Sequence, residues 1–334
     1  MMNQVKPKVS VCMPVYNGGA FIAESIASVL AQTYENFELL VIDNCSTDDT
    51  GAIVRGIKDP RIKYFRNDQN IGPIRNTNRC LELANGEYIN IIHHDDIMLP
   101  DNLELKVGVL ENNPEVGFVH SNLFMTDVDG NLLYQWNEDS RRDYVEDGLV
   151  VFHRYMNRMQ LGALVFIGAV MARRACYEHL GGYRLDLLPH TYDNEMWLRM
   201  ALYYKVGCVG KPLVTWRQHP VSQSSGWGTS IAWLEEHFLT IQIIFREYQN
   251  RIPDWKTLKK NVEESFGKEA LERGINACGR DDFELGKKYF GLAEKYSKNA
   301  FFMKDYWRLA LRLALGSKTA RLYWSMKRKI AGLL

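Results

Sequence analysis

Residues 8–122 alternate between strand-like and helix-like hydrophobic patterns, and this alternation limits the possible folds more than any other feature. In residues 8–15, apolar side chains occupy every second position, as in a half-buried strand. Residues 20–32 carry apolar side chains at helical spacing, and residues 37–43 form a nearly continuous apolar run. The alternation predicts the order β-α-β-α-β-α-β-α-β. Such an order favours an open, mostly parallel sheet flanked by helices.

Polar side chains follow the predicted strands at their carboxyl ends, where open α/β sheets bind ligands. Pro14–Asn17 follows the first strand, Asp43 ends the second, and His93–Asp96 (HHDD) follows the fourth. The two adjacent carboxylates of HHDD repel each other and are costly to bury. A solvated loop would tolerate them, and a divalent cation would satisfy them, because Mg²⁺ prefers carboxylate and phosphate oxygens. The residues alone leave both interpretations open.

Several common motifs are absent from the sequence. There is no G-x-G-x-x-G after the first strand, no G-x-x-x-x-G-K-[ST] and no G-x-S-x-G. These absences count against dehydrogenases, kinases and serine hydrolases. The six cysteines form no C-x-x-C pair, which argues against a zinc ribbon and suits a reducing cytosol. The net charge of +1 implies no strong attraction to nucleic acid.

The sequence predicts a cytoplasmic protein that does not cross a membrane. Its N-terminal segment lacks the layout of a signal peptide. The longest apolar run, residues 161–172, is shorter than the about 20 residues that a spanning helix needs. Residues 318–334 carry five basic side chains, no acidic one and several apolar ones. This pattern is typical of a helix on an anionic membrane surface, and a packing helix with a solvated basic face is the alternative.

The pattern changes at residue 229 to a succession of helices. These are predicted over residues 231–248, 255–278, 283–296, 301–315 and 319–333. We therefore predict an α/β domain over residues 1–225 and a helical C-terminal region over 226–334. Residues 123–160 are polar and poorly periodic, which predicts irregular edge structure and loop.

Four stretches of the sequence resemble glycosyltransferase family 2, a group of inverting, nucleotide-sugar-dependent enzymes with the GT-A (Rossmann-like) fold. Residues 9–50 are similar to the opening of the family, and residues 71–103 are similar to its middle. Residues 180–202 and 212–224 resemble its acceptor side. The resemblance extends over residues 8–225 and implies the GT-A fold for that part of the chain.

On the donor side, the resemblance implies roles for five residues. Pro14, Tyr16 and Asn17 would line the nucleobase pocket, with Tyr16 near the base. Asp43 would hydrogen-bond the base, typically uracil. Asp95 would contact the ribose or the metal-bound phosphates. These roles come from the resemblance and not from the spacing of the residues.

The resemblance also implies a metal centre and a general base. Asp96 would be the main ligand of Mn²⁺ or Mg²⁺, and His219 would help to hold the metal or the diphosphate. Arg217 would contact phosphate. Asp193 matches the acid that removes a proton from the acceptor.

Five weaker candidates are predicted to contact the acceptor or the phosphates: Glu195, Trp197, Arg217, Gly168 and Arg75. The sequence departs from the family at two points. Many members have D-x-D-D where this chain has HHDD, so that an imidazole replaces the first acid and could tune the metal. The family's Glu-Asp pair is Tyr192-Asp193 here, which leaves Glu195 as the alternative base.

The predicted reaction is the inverting transfer of a sugar from a nucleotide-diphosphate donor, a UDP-sugar, to a hydroxyl of a glycan or lipid-linked acceptor. Such a reaction would serve the synthesis of a surface polysaccharide or oligosaccharide. The alternative is a non-catalytic sugar-nucleotide binding or scaffold protein on the same fold. A nucleotidyltransferase usually has a basic, glycine-rich loop after the first strand, and residues 16–19 contain no Lys or Arg.

Overall fold

The computed structural model describes residues 6–136, 142–158, 165–187, 189–220 and 230–316. The chain divides into two compact units. The first comprises residues 1–155 and 163–227, and the second comprises residues 156–162 and 228–334. All the candidate site residues lie in the first unit, which is an α/β structure.

Ten strands and seven α-helices make up the described part of the first unit. The strands are β1 (Val9–Val15), β2 (Phe37–Asp43), β3 (Ile62–Arg66), β4 (Tyr88–Ile91), β5 (Ile97–Met98), β6 (Val116–Thr126), β7 (Leu132–Trp136), β8 (Tyr144–Glu146), β9 (Val170–Arg173) and β10 (Lys205–Arg217). The helices are α1 (Ile22–Leu30), α2 (Thr50–Gly56), α3 (Pro73–Leu83), α4 (Asn102–Asn112), α5 (Gly148–Met156), α6 (Arg174–Leu180) and α7 (Tyr192–Ala201).

The local sequence explains the elements that carry the site. Every residue of β2 is buried, as expected for a central parallel strand covered on both faces, and its sequence is correspondingly apolar. Helix α1 buries Ile22, Ile26 and Val29, which recur at helical spacing. Helix α3 has Pro73 at its first position, where a missing N–H costs nothing.

The strands form one sheet in the order β3-β2-β1-β4-β9-β6-β10-β5, with β7 beside β6 and β8 beside β10. Strands β1 to β4 are parallel neighbours, and β6 is parallel to β10. Strand β9 lies antiparallel between β4 and β6. The carboxyl ends of β1, β2, β4, β6 and β10 therefore meet at one edge of the sheet. The predicted α/β sheet flanked by helices is confirmed.

The prediction of irregular structure over residues 123–160 is wrong. Strand β6 continues to Thr126, and β7, β8 and α5 follow within the described residues. The first four residues of β7 are exposed on both faces, so that Leu132–Trp136 lacks the alternation of a half-buried strand. Strand β4 ends at Ile91, and the chain turns at His93–Asp96 as the position of HHDD after the fourth strand predicts.

The second unit is helical where it is described. It contains α8 (Ile231–Tyr248), α9 (Trp255–Gly279), α10 (Phe283–Tyr296) and a helix over residues 304–316. Ser230 caps α8 and Asp282 caps α10, each accepting a backbone N–H three residues on. The predicted helix over residues 319–333 lies outside the described residues. No helix in the described ranges is long and apolar enough to cross a bilayer.

Candidate active site

The loop after β1 is joined to the loop after β2 by hydrogen bonds. Asn17 has φ +52°, a left-handed conformation that asparagine tolerates better than most residues. Its Oδ1 accepts the Thr47 N–H at 2.8 Å, and its own N–H donates to Ser46 Oγ at 2.9 Å. Pro14 is half-buried beneath the loop, whereas the Tyr16 side chain is 45% exposed. The exposed Tyr16 ring is thus available at this edge, as a stacking role would require.

Asp43 lies at the end of β2 and is completely buried. Its carboxylate accepts hydrogen bonds from Ser46 N (2.7 Å), Tyr64 Oη (2.5 Å) and Arg66 Nη1 (3.0 Å). Burial pushes the pKa of Asp43 upward, but the bonds from Ser46 and Tyr64 and the Arg66 charge outweigh it, so that its pKa is lowered. Asp43 therefore holds the loop as a carboxylate, and its contact with a nucleobase stays a prediction.

The sequence interpretation missed a network of four asparagines beside this loop. Asn67 Nδ2 donates to Asn44 Oδ1 and to Asn76 Oδ1, each at 2.9 Å. Asn44 Nδ2 in turn donates to Asn70 Oδ1 at 2.9 Å. Asn44 and Asn67 each come directly after the last residue of a parallel strand, and this shared position was the available signal. The network fixes the segment between β3 and α3 at the same edge of the sheet.

The HHDD turn brings three possible metal ligands together. His93, Asp95 and Asp96 each offer one donor atom, and these atoms lie within 4.8 Å of one another. Asp96 is 1% exposed, and its Oδ1 accepts the Arg217 backbone N–H at 3.2 Å. Its buried Oδ2 lies 3.8 Å from His93 Nδ1 and has no hydrogen-bond partner among the described residues. Burial and the neighbouring Asp95 charge raise the pKa of Asp96 well above its usual range.

This donor set fits a divalent cation. Two carboxylates and an imidazole are ligands that Mn²⁺ and Mg²⁺ sites use, and the unpartnered Asp96 oxygen is the group that a cation would satisfy. His219 lies beside the set: its Nε2 is 3.1 Å from Asp95 Oδ2, and its buried Nδ1 has no hydrogen-bond partner in the part of the chain that the structure describes. Asp96 is thus one of the three possible ligands, whereas His219 contacts Asp95 and is not among them. The role of His219 in holding the metal stays a prediction.

Arg217, at the end of β10, connects this turn to α1. Its Nη2 donates to Glu24 at 2.6 Å, its Nε to the Asp95 carbonyl at 3.1 Å, and its Nη1 to the Val128 carbonyl at 3.3 Å. All three guanidinium nitrogens therefore donate within the protein. This set of contacts, here called the Arg217 strap, positions the turn; contact of Arg217 with phosphate stays a prediction.

Asp193 stands in the first turn of α7 and is half-buried. The Asn194 N–H donates to its Oδ1 at 2.8 Å. Burial outweighs this hydrogen bond and raises the pKa of Asp193 to about 7. No contact between Asp193 and either Asp95 or Asp96 is seen among the described residues. A carboxyl with this pKa can accept a proton near neutral pH.

Glu195 and Trp197 make structural contacts on the same helix. The completely buried Glu195 pairs with Arg199 at 3.1 Å, and Arg199 also donates to the Gly182 carbonyl. Trp197 is 1% exposed and packs against Phe118, with ring centroids 5.5 Å apart. The alternative base is thus already engaged by a cation, which favours Asp193.

Gly168 and Arg75 differ in their surroundings. A side chain on Gly168 would lie 2.6 Å from the Phe166 ring, so that this buried glycine makes room for Phe166. The half-buried Phe166 ring stacks on Trp216 at 5.0 Å and lies 6.0 Å from His93. Arg75 is exposed in the first turn of α3, and no partner for its guanidinium is seen among the described residues.

Comparison with known proteins agrees with this architecture. The sequence profile for glycosyl transferase family 2 matches residues 10–180, which is half of the chain. The chain belongs to glycosyltransferase family 2. The predicted family and the prediction of a glycosyltransferase are both confirmed at this level.

The chain is 36% identical over 141 residues to an uncharacterised glycosyltransferase of Haemophilus influenzae, covering 42% of this chain and 56% of the relative. The match thus spans little more than half of that relative.

Among solved structures, TarS of Staphylococcus aureus in complex with UDP-GlcNAc has a TM-score of 0.64 at 18% identity, covering 94% of this chain and 92% of TarS. The mannosyltransferase PcManGT of Pyrobaculum calidifontis, in complex with GDP-Man and Mn²⁺, has a TM-score of 0.57 at 18% identity, covering 94% and 88%. These structures confirm the GT-A fold.

Proposed function

We propose that this protein is a metal-assisted, inverting glycosyltransferase that uses a nucleotide-diphosphate sugar, a UDP-sugar, as donor. The observation that carries the proposal is the unpartnered Asp96 Oδ2, buried within a turn that offers three ligand atoms. A buried carboxylate oxygen without a partner is costly, and a bound cation would remove that cost. The complexes of TarS with UDP-GlcNAc and of PcManGT with GDP-Man and Mn²⁺ support the donor class and the metal.

Asp96, with Asp95 and His93, would hold Mn²⁺ or Mg²⁺. When bound, such a cation neutralises charge on a departing nucleoside diphosphate. His219 keeps Asp95 oriented through their 3.1 Å contact, and the Arg217 strap fixes the turn from the other side. The chain therefore contributes a turn that is already in position before the donor arrives.

The donor's nucleoside is proposed to lie against the loops after β1 and β2. Tyr16 offers an exposed ring for stacking, and Pro14 and Asn17 form the floor of that loop. Asp43, at the end of β2, would then form a hydrogen bond with the base. The hydrogen bonds between the two loops supply a rigid surface, which reduces the ordering cost of binding.

Asp193 is proposed as the general base. It would take the proton of an acceptor hydroxyl, whose oxygen then attacks the anomeric carbon in line and displaces the nucleoside diphosphate. In-line attack inverts the configuration, so that an α-linked donor gives a β-linked product. The pKa of about 7 suits this role, because about half of the Asp193 side chains are ionised at neutral pH and the carboxylate is basic enough to accept the proton.

The acceptor is proposed to be a glycan or a lipid-linked saccharide used in surface polysaccharide synthesis. The half-buried Phe166–Trp216 stack beside His93 supports a saccharide, because aromatic faces cover the apolar faces of sugar rings. The basic, apolar composition of residues 318–334 supports a site of action at the cytoplasmic membrane surface. We also propose the division of function between residues 1–225 and 226–334.

Thermal unfolding with UDP, GDP, TDP and CDP, each with Mn²⁺ and with EDTA, tests the donor site. A ligand that binds only the folded state raises Tm by mass action. We expect one nucleotide, UDP, to raise Tm with Mn²⁺ and to lose that effect in EDTA. The matched control is D96N, which we expect to fold. It replaces the carboxylate proposed to bind the metal with an uncharged amide. The absence of any shift for well-folded protein would contradict the proposal.

A non-catalytic sugar-nucleotide binding protein is the alternative, since it would share the same fold and donor site. Product formation distinguishes the two functions, because a binding protein gives the same nucleotide shift without turnover. The half-buried Asp193, with its raised pKa, favours the enzyme, since binding alone does not need a carboxyl group that titrates near neutral pH there.

A further inference from the structure

The helix over residues 304–316 has one apolar face that packs within the second unit. Leu309 is completely buried and lies beside Gly274 of α9. Leu313 is half-buried and lies beside Gly286 of α10. The absence of side chains on the two glycines lets these leucines approach closely. This face is sufficient to attach the helix to α9 and α10.

The same helix has a second apolar face on its opposite side. Trp307, Leu311 and Leu315 recur every four residues and so lie in one row, about half a turn from the packed face. Phe301 extends the row, with its ring 4.8 Å from that of Trp307, and the Phe302 ring lies 5.6 Å from Phe301. These five side chains, here called the aromatic stripe, are between 37% and 83% exposed.

An aromatic stripe of this size needs an explanation. Single exposed apolar residues are common, but a contiguous group marks an interaction surface. The Trp307 indole N–H already donates to the Phe301 carbonyl at 3.1 Å, so that the ring can enter an apolar environment without losing a hydrogen bond to water. The stripe is therefore prepared for burial.

The charges around the aromatic stripe indicate what covers it. Lys304 and Arg308 are exposed on the same helix, and Arg308 also pairs with the neighbouring Asp305 at 3.5 Å. Residues 301–334 contain eight Lys or Arg residues and a single acidic residue, Asp305. A second copy of the chain would bring two such basic segments together, and like charges across an interface are unfavourable. An anionic lipid surface instead attracts the basic side chains and receives the apolar ones.

We propose that the aromatic stripe docks this protein onto an anionic lipid bilayer. Its rings and leucines enter the boundary between headgroups and acyl chains, and the long stems of Lys304 and Arg308 let their charges reach lipid phosphates. The inference rests on the membrane-surface part of the proposed function. It adds a docking surface in the described residues to the basic segment 318–334.

Flotation of the full-length protein with vesicles tests this inference. We expect binding to phosphatidylcholine vesicles that contain phosphatidylglycerol and little binding to pure phosphatidylcholine. F302S/W307S should weaken binding on the order of tenfold or more, because two large apolar side chains no longer leave water. K327E/R328E/K329E should weaken it in a salt-dependent way. The matched control is L133S, because Leu133 of β7 is 56% exposed and Trp307 is 54% exposed.

Two readouts keep the test decisive. The Tm shift with UDP and Mn²⁺, measured on the same variants, should be unchanged, so that failure of docking is separable from failure of the donor site. Vesicle binding that is absent in the wild type, or insensitive to F302S/W307S, would overturn the proposal. A wild-type dimer that becomes monomeric in F302S/W307S, without vesicle binding, would assign the stripe to a second copy instead.

Discussion

The two sides of the candidate site differ in how completely their polar groups are satisfied. On the nucleoside side, Asp43 accepts three hydrogen bonds and its pKa is lowered. On the reaction side, Asp96 has an unpartnered oxygen, and burial raises the pKa of both Asp96 and Asp193. On the first side, the Asp43 carboxylate is already satisfied by groups of the protein. The second retains carboxyl groups that only a ligand or a proton can satisfy, which is where chemistry is expected.

The largest expected effect is on turnover in D193N. Asparagine keeps an oxygen for the Asn194 N–H but cannot accept the acceptor's proton, so that kcat should fall about 10²- to 10⁴-fold. Product formation from UDP-sugar and acceptor measures it. The UDP-dependent Tm shift should be unchanged. At pH 8 the Tm of D193N should be no lower than that of the wild type. The raised pKa of Asp193 means that its ionised form, which dominates at pH 8, is unfavourable in the folded wild-type protein.

E195Q tests the contrast between the two acids of α7. Glu195 is buried and paired with Arg199, so that removing its charge leaves a buried guanidinium uncompensated. We expect a loss of about 3–5 kcal/mol in the free energy of unfolding, measured with urea. The UDP affinity of the protein that remains folded should be unchanged. A stable E195Q without turnover would instead make Glu195 the base.

Comparing D43N with D96N tests the difference between the two sides directly. D43N loses a charged acceptor of three hydrogen bonds and should destabilise the protein by about 1–3 kcal/mol. D96N removes a carboxylate oxygen that accepts no hydrogen bond among the described residues. Because burial raises the pKa of Asp96, this substitution should leave Tm at pH 8 unchanged or higher. Thermal unfolding of both variants in EDTA measures the difference. Equal destabilisation would mean that the two sides do not differ in this way.

The smallest effect is a graded pH dependence. Asp193 must be ionised to act as a base, so that kcat/KM should fall about tenfold per pH unit below pH 7 and level off above it. Initial rates between pH 5.5 and about 8.5 would measure this, with Tm followed over the same range. A profile that stays flat down to pH 5.5 would contradict the assigned base.

The sequence allowed prediction of the features that depend on neighbouring residues. Two such features are local patterns: the apolar run of β2 with its terminal Asp43, and the turn at HHDD. Tertiary packing does not change either of them. The exposed strand β7 was missed because Leu132–Trp136 has no buried face to produce alternation. The Arg217 strap was also missed, since hydrogen bonds between distant residues leave no periodic signal. The ion pair of Glu195 with Arg199 was not predicted either, although the two residues have the i,i+4 spacing of a helical pair.

The Arg217 strap has a consequence for the order in which the protein becomes active. Arg217 and Glu24 are 193 positions apart in the chain, and Arg217 and Asp95 are 122 apart. During synthesis, Arg217 leaves the ribosome long after Glu24 and Asp95, and both belong to the same compact unit as Arg217. The HHDD turn gains these contacts only when β10 joins the sheet, and contacts between residues so far apart in the chain form late in folding. Truncation of the chain before Arg217 would therefore leave the HHDD turn without the contacts that fix it.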